Sequence, residues 1–372
     1  RGTADAAEPA EAYRSGEGYW VGNPSDFNLD LALDELRFWD FLESTQKDEV
    51  DKLRKDPQYK LKVMQRLDRL IQKNGVLHVL RNGLDVDDAR FTLFYNAPLA
   101  SSSAAVRERF GQNQFSVTRQ LRYNRHKPSQ EIDMVVFLNG LPLATIELKN
   151  PSTHQTARIH GIKQYKQDRD QTQPLLRFGR CVVHFAVDTE EVWMCTRLNG
   201  INSVFLPFNK GYKEGAGNPP PAEGFGHRTN YLWEEVLDRE SLANILQHFV
   251  RLDGKPNAPL EKRTLYFPRY HQLQVVRKLM DHASTFGVGQ SYLIQHSAGS
   301  GKSNSITWAA YQLIECYPAR EGVPGSKGMG SPLFDTVIVV TDRRLLDKQI
   351  RRNVKQFSQV KNIMAPAMSS AE

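Results

Sequence analysis

One segment of twenty residues, 131–150, constrains the fold of this chain most strongly: EIDMVVFLNGLPLATIELKN. Two runs rich in apolar and β-branched residues flank Asn139 and Gly140, a pair that is typical of the tight turn in a β-hairpin. Because side chains alternate along a strand, Glu147 and Lys149 are predicted to share one face. The segment therefore predicts sheet structure in the middle of the chain, with an acid and a cation pointing the same way.

The register of this hairpin decides whether Asp133 lies on the same face as Glu147 and Lys149. A two-residue loop at the turn pairs Asp133 with Ile146 and puts the two acids on opposite faces. A three-residue loop that adds Leu141 pairs Asp133 with Glu147 instead. Gly140 can take the positive φ that this longer loop needs. We predict the longer register or an equivalent bulge, with a cation between the opposed carboxylates to offset their repulsion.

This arrangement favours metal-assisted hydrolysis of a phosphodiester. Asp133 and Glu147 offer the hard oxygen ligands that Mg²⁺ prefers, with room for water and phosphate. Lys149 would orient or activate the water. A Glu-x-Lys triplet by itself occurs by chance about once in a chain of this length. The opposed aspartate and the apolar hairpin around it favour a functional site.

Composition excludes several classes and leaves others open. The chain has 372 residues, with 49 Lys and Arg against 42 Asp and Glu, for a net charge of +7. That mild excess fits a solvated surface as well as a polyanionic partner. No apolar run has the length of a membrane-spanning helix. Three cysteines without a Cys-x-x-Cys spacing indicate a reducing compartment, which we interpret as the cytoplasm.

The first two thirds of the chain predict a mixed α/β fold. Apolar residues recur at helical spacing over residues 28–43 and 57–73. Short segments rich in β-branched and aromatic residues follow, each bounded by turn-forming residues. These predicted strands cover residues 91–95, 114–118, 133–138, 181–187 and 192–196.

A second motif predicts a phosphate-binding loop. Residues 291–295 (SYLIQ) are predicted to form a short buried strand, residues 296–303 (HSAGSGKS) a glycine loop, and residues 306–314 an apolar helix. The backbone N–H groups of such a loop bind phosphates at a helix N-terminus. Lys302 would contact the β- and γ-phosphates of a nucleotide and Ser303 its Mg²⁺. The remaining candidate nucleotide-binding residues of the loop are Gly299, Ser300 and Gly301.

The segments beside this loop resemble motifs of superfamily 2 helicases. Residues 267–274 (FPRYHQLQ) resemble a Q motif, which implies that Gln272 recognises adenine with help from Arg269. Residues 335–340 are predicted to form another buried strand. The Thr-Asp-Arg-Arg stretch that follows, residues 341–344, resembles a DNA-contacting motif, although it also fits a charged turn at the end of a strand.

We predict three regions along the chain. Residues 1–225 form an N-terminal helical region and a nuclease domain, and residues 226–259 form a helical connector. Residues 260–372 form the start of an ATP-binding motor lobe. The glycine- and proline-rich residues 207–226 and the break at 256–259 mark the changes. No Asp-Glu pair follows Lys302, so we expect this chain alone to bind ATP weakly and hydrolyse it negligibly.

The carboxylate hairpin resembles the PD-(D/E)xK nucleases, and much of the chain resembles the N-terminal half of the R subunit of type I restriction–modification enzymes. Besides the hairpin, the resemblance rests on FLESTQ (41–46), GVLHVLRNGL (75–84), NQFSVTRQLRY (113–123), QYKQDRD (164–170), RCVVHFAVDTEEVWM (180–194) and FLPFNKGYKEGAGNPP (205–220). The resemblance implies a PD-(D/E)xK-type nuclease domain with a mixed sheet, followed by an incomplete RecA-like parallel α/β lobe.

In this family a helix after the catalytic lysine often carries Gln-x-x-x-Tyr near the active site. Tyr165 fits the tyrosine of that pattern, whereas Gly161 stands in the glutamine position and Gln164 is the nearest glutamine. Tyr165 and Gln164 are therefore candidate site residues. The candidate DNA contacts are Lys163, Lys166, Arg169, Arg343 and Arg344. A solvated basic helix with one packed aromatic side chain is the other interpretation of residues 163–169.

The family resemblance implies a subunit that pulls double-stranded DNA with ATP and cleaves unmodified DNA with Mg²⁺. It also implies methyltransferase and specificity subunits as partners. Two other interpretations fit the residues. One is a repair-type helicase–nuclease that acts without a modification partner, and the other is a non-catalytic module for DNA binding or assembly.

Overall fold

A computed structural model describes residues 18–99, 102–213, 215–221, 226–255, 257–341 and 350. The strands of this part of the chain are β1 (Trp20–Val21), β2 (Phe27–Asn28), β3 (Leu33–Asp34), β4 (Leu84–Val86), β5 (Ala89–Phe91), β6 (Phe115–Arg122), β7 (Glu131–Leu138), β8 (Leu141–Leu148), β9 (Val183–Val187), β10 (Val192–Cys195), β11 (Leu206–Pro207), β12 (Arg251–Asp253) and β13 (Thr264–Tyr266). The α-helices are α1 (Glu35–Thr45), α2 (Lys47–Leu53), α3 (Tyr59–Asn74), α4 (Val76–Asn82), α5 (Ala104–Gly111), α6 (Arg239–His248), α7 (Tyr270–Phe286) and α8 (Lys302–Ile314).

Seven strands form one mixed sheet in the order β1-β6-β7-β8-β9-β10-β11. The β1–β6 and β8–β9 pairs are parallel and the other pairs are antiparallel, so the predicted mixed α/β fold is confirmed. Within the described residues, no helix is long and apolar enough to cross a membrane.

The β7–β8 hairpin differs from the prediction at its tip. Leu138 pairs with Leu141, so the loop has two residues, and Asn139 and Gly140 have φ values of 51° and 79°. Positive φ at both positions is the geometry that an Asn-Gly turn favours. A Cβ on Gly140 would lie 2.5 Å from the carbonyl oxygen of Asp34, so the tip contacts the start of α1 closely. The predicted three-residue loop is therefore wrong.

Because of a β-bulge, the two acids Asp133 and Glu147 nevertheless lie opposite each other, as predicted. Phe137 pairs with Pro142 but Val136 pairs with Ala144, which leaves Leu143 as an extra residue in β8. One extra residue shifts the register beyond it by one position. Met134 consequently pairs with Ile146. The next position along the strands puts Asp133 opposite Glu147, and the bulged alternative of the prediction is confirmed.

Near the N-terminus the helix predicted over 28–43 begins later. Residues up to Asp34 form the short β2–β3 pair, and α1 begins at Glu35. The side chain of Asp34 accepts a hydrogen bond from the backbone N–H of Arg37, which fixes the start of the helix at that point. The second predicted helix is confirmed as α3, which ends at Asn74 and is followed by Gly75 with a φ of 82°.

Other predicted elements are confirmed in part. The antiparallel pair β9–β10 lies where residues 181–196 predicted a hairpin. The strand predicted at 133–138 lies within β7, and the one predicted at 114–118 corresponds to the start of β6, which begins at Phe115. The strand predicted over 91–95 ends at Phe91. The helical connector predicted over 226–259 contains a π-type turn, Leu232–Val236, followed by α6, but residues 251–253 form the strand β12.

The two buried strands predicted beside the glycine loop are wrong. Residues 291–295 and 335–340 form neither helix nor strand, and none of the sheets in the described residues includes them. The Leu293 side chain is 93% exposed and that of Ile338 is 80% exposed. An apolar run becomes a buried strand only when neighbouring strands bond to it and a second layer covers it.

One hydrophobic core joins most of these elements. It includes Phe38 of α1, Phe185 of β9, Phe267 and Trp308 of α8. A smaller core on the opposite side of the central sheet contains Val135, Phe137 and Tyr165, among others. The carboxylate face of the β7–β8 hairpin lies on the side of this smaller core.

Candidate functional site

Glu147 is a fully buried acid in the penultimate position of β8. Its two carboxylate oxygens accept hydrogen bonds from Nε and Nη2 of Arg169, at 2.6 Å and 3.0 Å. The pKa of Glu147 is raised to about 7, mainly by burial; Arg169 lowers it and the neighbouring Asp133 carboxylate contributes to the rise. Asp133 and Glu147 are thus close enough for their charges to interact.

Asp133 and Lys149 form the more accessible side of the same cluster. The Asp133 side chain is 37% exposed, and its Oδ2 accepts a hydrogen bond from the backbone N–H of Leu148 at 2.7 Å. Lys149 Nζ lies 3.9 Å from the same oxygen and donates to the Leu148 carbonyl oxygen at 3.0 Å. The structure therefore brings all three residues of the predicted triplet to one face.

The donor chemistry of this cluster fits a divalent cation. Two carboxylates face each other across the hairpin, next to the Leu148 carbonyl oxygen, and Mg²⁺ prefers such oxygen ligands. Within the described residues, no group of three or more His, Cys, Asp or Glu side chains comes together for a metal. Asp133 and Glu147 are the residues that would hold Mg²⁺ here.

A helical segment of π type, residues 157–168, covers the face that carries the carboxylates, and we call it the site helix. Tyr165 of the site helix is fully buried, and its hydroxyl shares a 2.8 Å hydrogen bond with Thr145 Oγ1. Thr145 also bonds to His184 Nδ1 at 2.7 Å. Burial lowers the pKa of His184 to about 3. Tyr165 therefore belongs to a neutral, buried hydrogen-bond chain beside Glu147.

The structure explains why Gly161 stands in the glutamine position of the family pattern. A Cβ at Gly161 would lie 2.9 Å from Ala186 Cβ and 3.6 Å from Lys149 Cγ. Any larger side chain would push the site helix away from β9. Gln164, the alternative glutamine, is half-buried one residue before Tyr165.

The predicted DNA-contacting cations lie in different environments. Lys163 is exposed and Lys166 is half-buried on the site helix. The Arg169 side chain is only 8% exposed, and its guanidinium faces Glu147 rather than solvent. Its pairing with an acid 22 residues away was not predicted from the sequence. Arg343 and Arg344 lie outside the described residues.

The glycine loop leads directly into α8, which begins at Lys302. Gly299 and Gly301 have φ values of 75° and 82°, which glycine adopts without strain. Lys302 Nζ donates to the carbonyl oxygens of His296 and Ser297, at 2.9 Å and 2.8 Å, so it bends back over the loop. The remaining predicted residues occupy the same turn, with Ser300 buried and Ser303 half-buried.

Gln272 contacts this loop from the first turn of α7. Its Nε2 donates to the carbonyl oxygens of Ser300 and Gly301, at 3.0 Å and 3.2 Å, and its Oε1 accepts from the backbone N–H of Arg269 at 2.9 Å. The side chain is 3% exposed. The structure thus brings Gln272 and Arg269 next to the predicted phosphate loop, with the Gln272 amide bonded to protein at both ends.

Comparison with known proteins shows that two segments of this chain match models of protein families. Residues 28–203 match the model of the type I restriction enzyme R protein N terminus, and residues 271–370 match that of the SWI2/SNF2 ATPases. The chain thus combines a segment similar to the N terminus of type I restriction enzyme R proteins with a segment similar to SWI2/SNF2 ATPases. The match over residues 28–203 confirms the resemblance found in the sequence.

Two curated relatives are similar to this chain over a part of their length. The type I restriction enzyme HindI endonuclease subunit of Haemophilus influenzae is 24% identical over 270 residues, which is 71% of this chain and 23% of that protein. A Methanocaldococcus jannaschii protein, provisionally named type I restriction enzyme MjaIXP endonuclease subunit, is 24% identical over 273 residues, 65% of this chain and 23% of its own length. The chain spans less than a quarter of these relatives.

Proposed function

We propose that this chain hydrolyses phosphodiester bonds of double-stranded DNA with Mg²⁺ at the Asp133, Glu147 and Lys149 cluster. The observation that carries the proposal is the bulged register of the β7–β8 hairpin, which puts two carboxylates and one lysine on a single face. The relatives named as endonuclease subunits support the same reaction. We assign residues 1–225 to a PD-(D/E)xK-type nuclease domain.

The residues of this site would have different roles in the reaction. Asp133 and Glu147 would hold the cation between them. A bound Mg²⁺ supplies a Lewis acid for the phosphate and a means of activating water. Lys149 Nζ, close to Asp133, would orient the attacking water and stabilise the negative charge that develops on the phosphate.

The second half of the proposal is an ATP-driven motor. Residues 226–259 would connect the nuclease domain to the start of a RecA-like lobe over 260–372. Backbone N–H groups of residues 299–301 would bind phosphates at the N-terminus of α8, with Lys302 on the β- and γ-phosphates and Ser303 on the nucleotide Mg²⁺. Gln272 and Arg269 would contact adenine after Gln272 releases one of its present partners. The match to SWI2/SNF2 ATPases supports translocation on DNA.

The partners we propose are those of a type I restriction–modification complex in the cytoplasm. Methyltransferase and specificity subunits would recognise the site and its modification state. Lys163 and Lys166 on the site helix, together with Arg343 and Arg344, would contact the DNA backbone. All three cysteines are buried free thiols, which agrees with a reducing compartment.

Cleavage of unmodified plasmid by the reconstituted complex, carrying the full-length subunit, tests this function. We expect Lys149→Ala to reduce cleavage by at least about 100-fold, because it removes charge stabilisation at the reacting phosphate, and to leave ATP hydrolysis intact. Lys302→Ala should abolish both activities. Lys52→Ala, at an exposed ion pair on α2, is the matched control. Unimpaired cleavage by Lys149→Ala would contradict the assignment.

Two further measurements separate the alternatives. A repair-type helicase–nuclease would cleave without the specificity subunit and without regard to methylation. An inert binding or assembly module would give equal calorimetric Mg²⁺ titrations for the wild-type chain and Asp133→Ala. We expect cleavage to need the specificity subunit, and Asp133→Ala to weaken Mg²⁺ binding.

A further inference from the structure

The ion pair between Arg169 and Glu147 occupies the deepest part of the proposed nuclease site. Both partners are shielded from solvent, with side chains that are 8% and 0% exposed. The guanidinium meets the carboxylate with two parallel hydrogen bonds, one to each oxygen, at 2.6 Å and 3.0 Å. Such a bidentate pair fixes both groups in one orientation. A cation therefore already lies against the acid that would hold Mg²⁺.

The protein holds Arg169 in this position from both sides. Arg169 follows the site helix directly, and its backbone N–H donates to the carbonyl oxygen of Gln164 at 3.0 Å. The carbonyl oxygen of Asp168 accepts from Gln130 Nε2 at 2.6 Å, and the backbone N–H of Asp170 donates to Tyr123 Oη at 3.1 Å. These contacts tie the backbone around Arg169 to the β6–β7 connection. Its guanidinium is thus directed at Glu147 by ordered structure.

We propose that Arg169 is a resident cation of the nuclease site, which a divalent metal must displace from at least one oxygen of Glu147. This inference rests on the proposed function, since it takes Glu147 as a metal ligand. A carboxylate oxygen that accepts a short hydrogen bond from a guanidinium cannot bind a metal ion from the same direction. Two cations at one buried acid also repel each other. Arg169 is therefore a positioning residue that holds Glu147 in place and sets the metal affinity of the site.

The competing explanation is that Arg169 only neutralises a buried acid. In that case its loss would lower stability and leave metal affinity unchanged or reduced. A resident cation predicts the opposite sign for affinity, because its loss leaves a buried carboxylate without its charge partner and with both oxygens open to the metal. The sign of the change in metal affinity therefore separates the two roles.

Calorimetric titration of the whole chain with Ca²⁺, and separately with Mn²⁺, in the absence of DNA measures this sign. We expect Arg169→Gln to bind each ion at least tenfold more tightly than wild type, and Arg169→Lys to lie between them. Arg177→Gln, which changes an exposed arginine eight residues along the chain, should match wild type. The shift in melting temperature with added Ca²⁺ gives a second readout, since an ion that binds only the folded state stabilises it.

The outcomes distinguish this inference from the proposed function. If Asp133→Asn binds the ions as wild type does, the metal site itself is refuted. If Asp133→Asn loses binding while Arg169→Gln binds no more tightly than wild type, the resident-cation role is overturned and the metal site stands. Should Arg169→Gln fail to fold, Arg169→Lys decides alone, and affinity equal to or below wild type rejects the proposal.

Discussion

Two buried carboxyl groups, Asp34 and Glu147, differ in what surrounds them. Glu147 has a guanidinium on both oxygens, whereas Asp34 accepts a hydrogen bond from the backbone N–H of Arg37 at 3.0 Å and caps α1. Burial raises the pKa of Asp34 to about 6, and its capping hydrogen bond and the Arg37 charge only partly oppose that effect. Asp34 is thus a structural acid whose charge is costly in the folded state.

Asp34 should make the protein less stable as pH rises. Its pKa is about 6 in the folded chain against an ordinary value of 3.8, so the folded state binds the proton more tightly. The stabilisation is full below about pH 4 and is lost as pH rises to about 6, a change of at most about 3 kcal/mol. Asp34→Asn keeps a capping side chain without the charge. We expect it to match wild type near pH 4 and to exceed it at pH 7.5, in urea unfolding at both pH values.

The prediction is tested by the gain in unfolding free energy of Asp34→Asn over wild type at pH 7.5, compared with the gain at pH 4. A stability difference between Asp34→Asn and wild type that is the same at pH 4 and pH 7.5 would mean that Asp34 titrates normally. Asp88→Asn, at an exposed acid, serves as the control for the loss of one negative charge.

At the scale of elements, the site depends on how the site helix approaches β9. Alternation along β8 was enough to predict that Glu147 and Lys149 share a face. The bulge at Leu143 was foreseen only as an alternative, because nothing in Pro142 or Leu143 distinguishes an extra residue from a longer loop. The Arg169 contact was missed because pairings between an element and a distant loop leave no periodic signal in sequence.

Gly161 should be required for the close approach of the site helix. A Cβ there would lie 2.9 Å from Ala186 Cβ, and forcing atoms into a packed interface costs about 1–3 kcal/mol. We expect Gly161→Ala to lower the free energy of unfolding by that amount, despite the better helix propensity of alanine. In the double variant with Ala186→Gly, the two effects should be non-additive, with a coupling energy of about 1 kcal/mol. Strict additivity in urea titrations would show that the two residues do not compete for space.

At the scale of the whole molecule, the central sheet and the helices α7 and α8 beside the glycine loop share one hydrophobic core. Phe267 packs edge-on against Phe185 of β9, with ring centroids 5.9 Å apart, and lies 6.1 Å from Phe208. Tyr270, at the start of α7, contacts Phe208 in turn. The sequence predicted the motifs on either side of this cluster but not the contact between them. For the exposed segments 291–295 and 335–340 the sequence predicted buried strands that the structure lacks. An apolar pattern alone cannot supply the neighbouring strands that a buried strand needs.

Phe267 should stabilise both regions together. The side chain is 4% exposed, and truncation of a buried phenylalanine costs about 3–5 kcal/mol. We expect Phe267→Ala to lower the free energy of unfolding by this amount, and Phe286→Ala, at a half-exposed ring, to change it far less. Tryptophan fluorescence during urea unfolding reports on the five tryptophans of the chain, which include Trp193 in β10 and Trp308 in α8. Equal stability of the two variants would contradict a shared core.

The bulge at Leu143 also bears on how such genes can change. Loss of the Leu143 codon would keep the reading frame and turn the bulged hairpin into a regular one, in which Asp133 still lies opposite Glu147. Gain of one codon between Ala144 and Glu147 would instead shift the pairing by one residue and turn Glu147 to the other side of the sheet, away from Asp133. A deleted and an inserted residue in this strand therefore have opposite consequences for the acid pair.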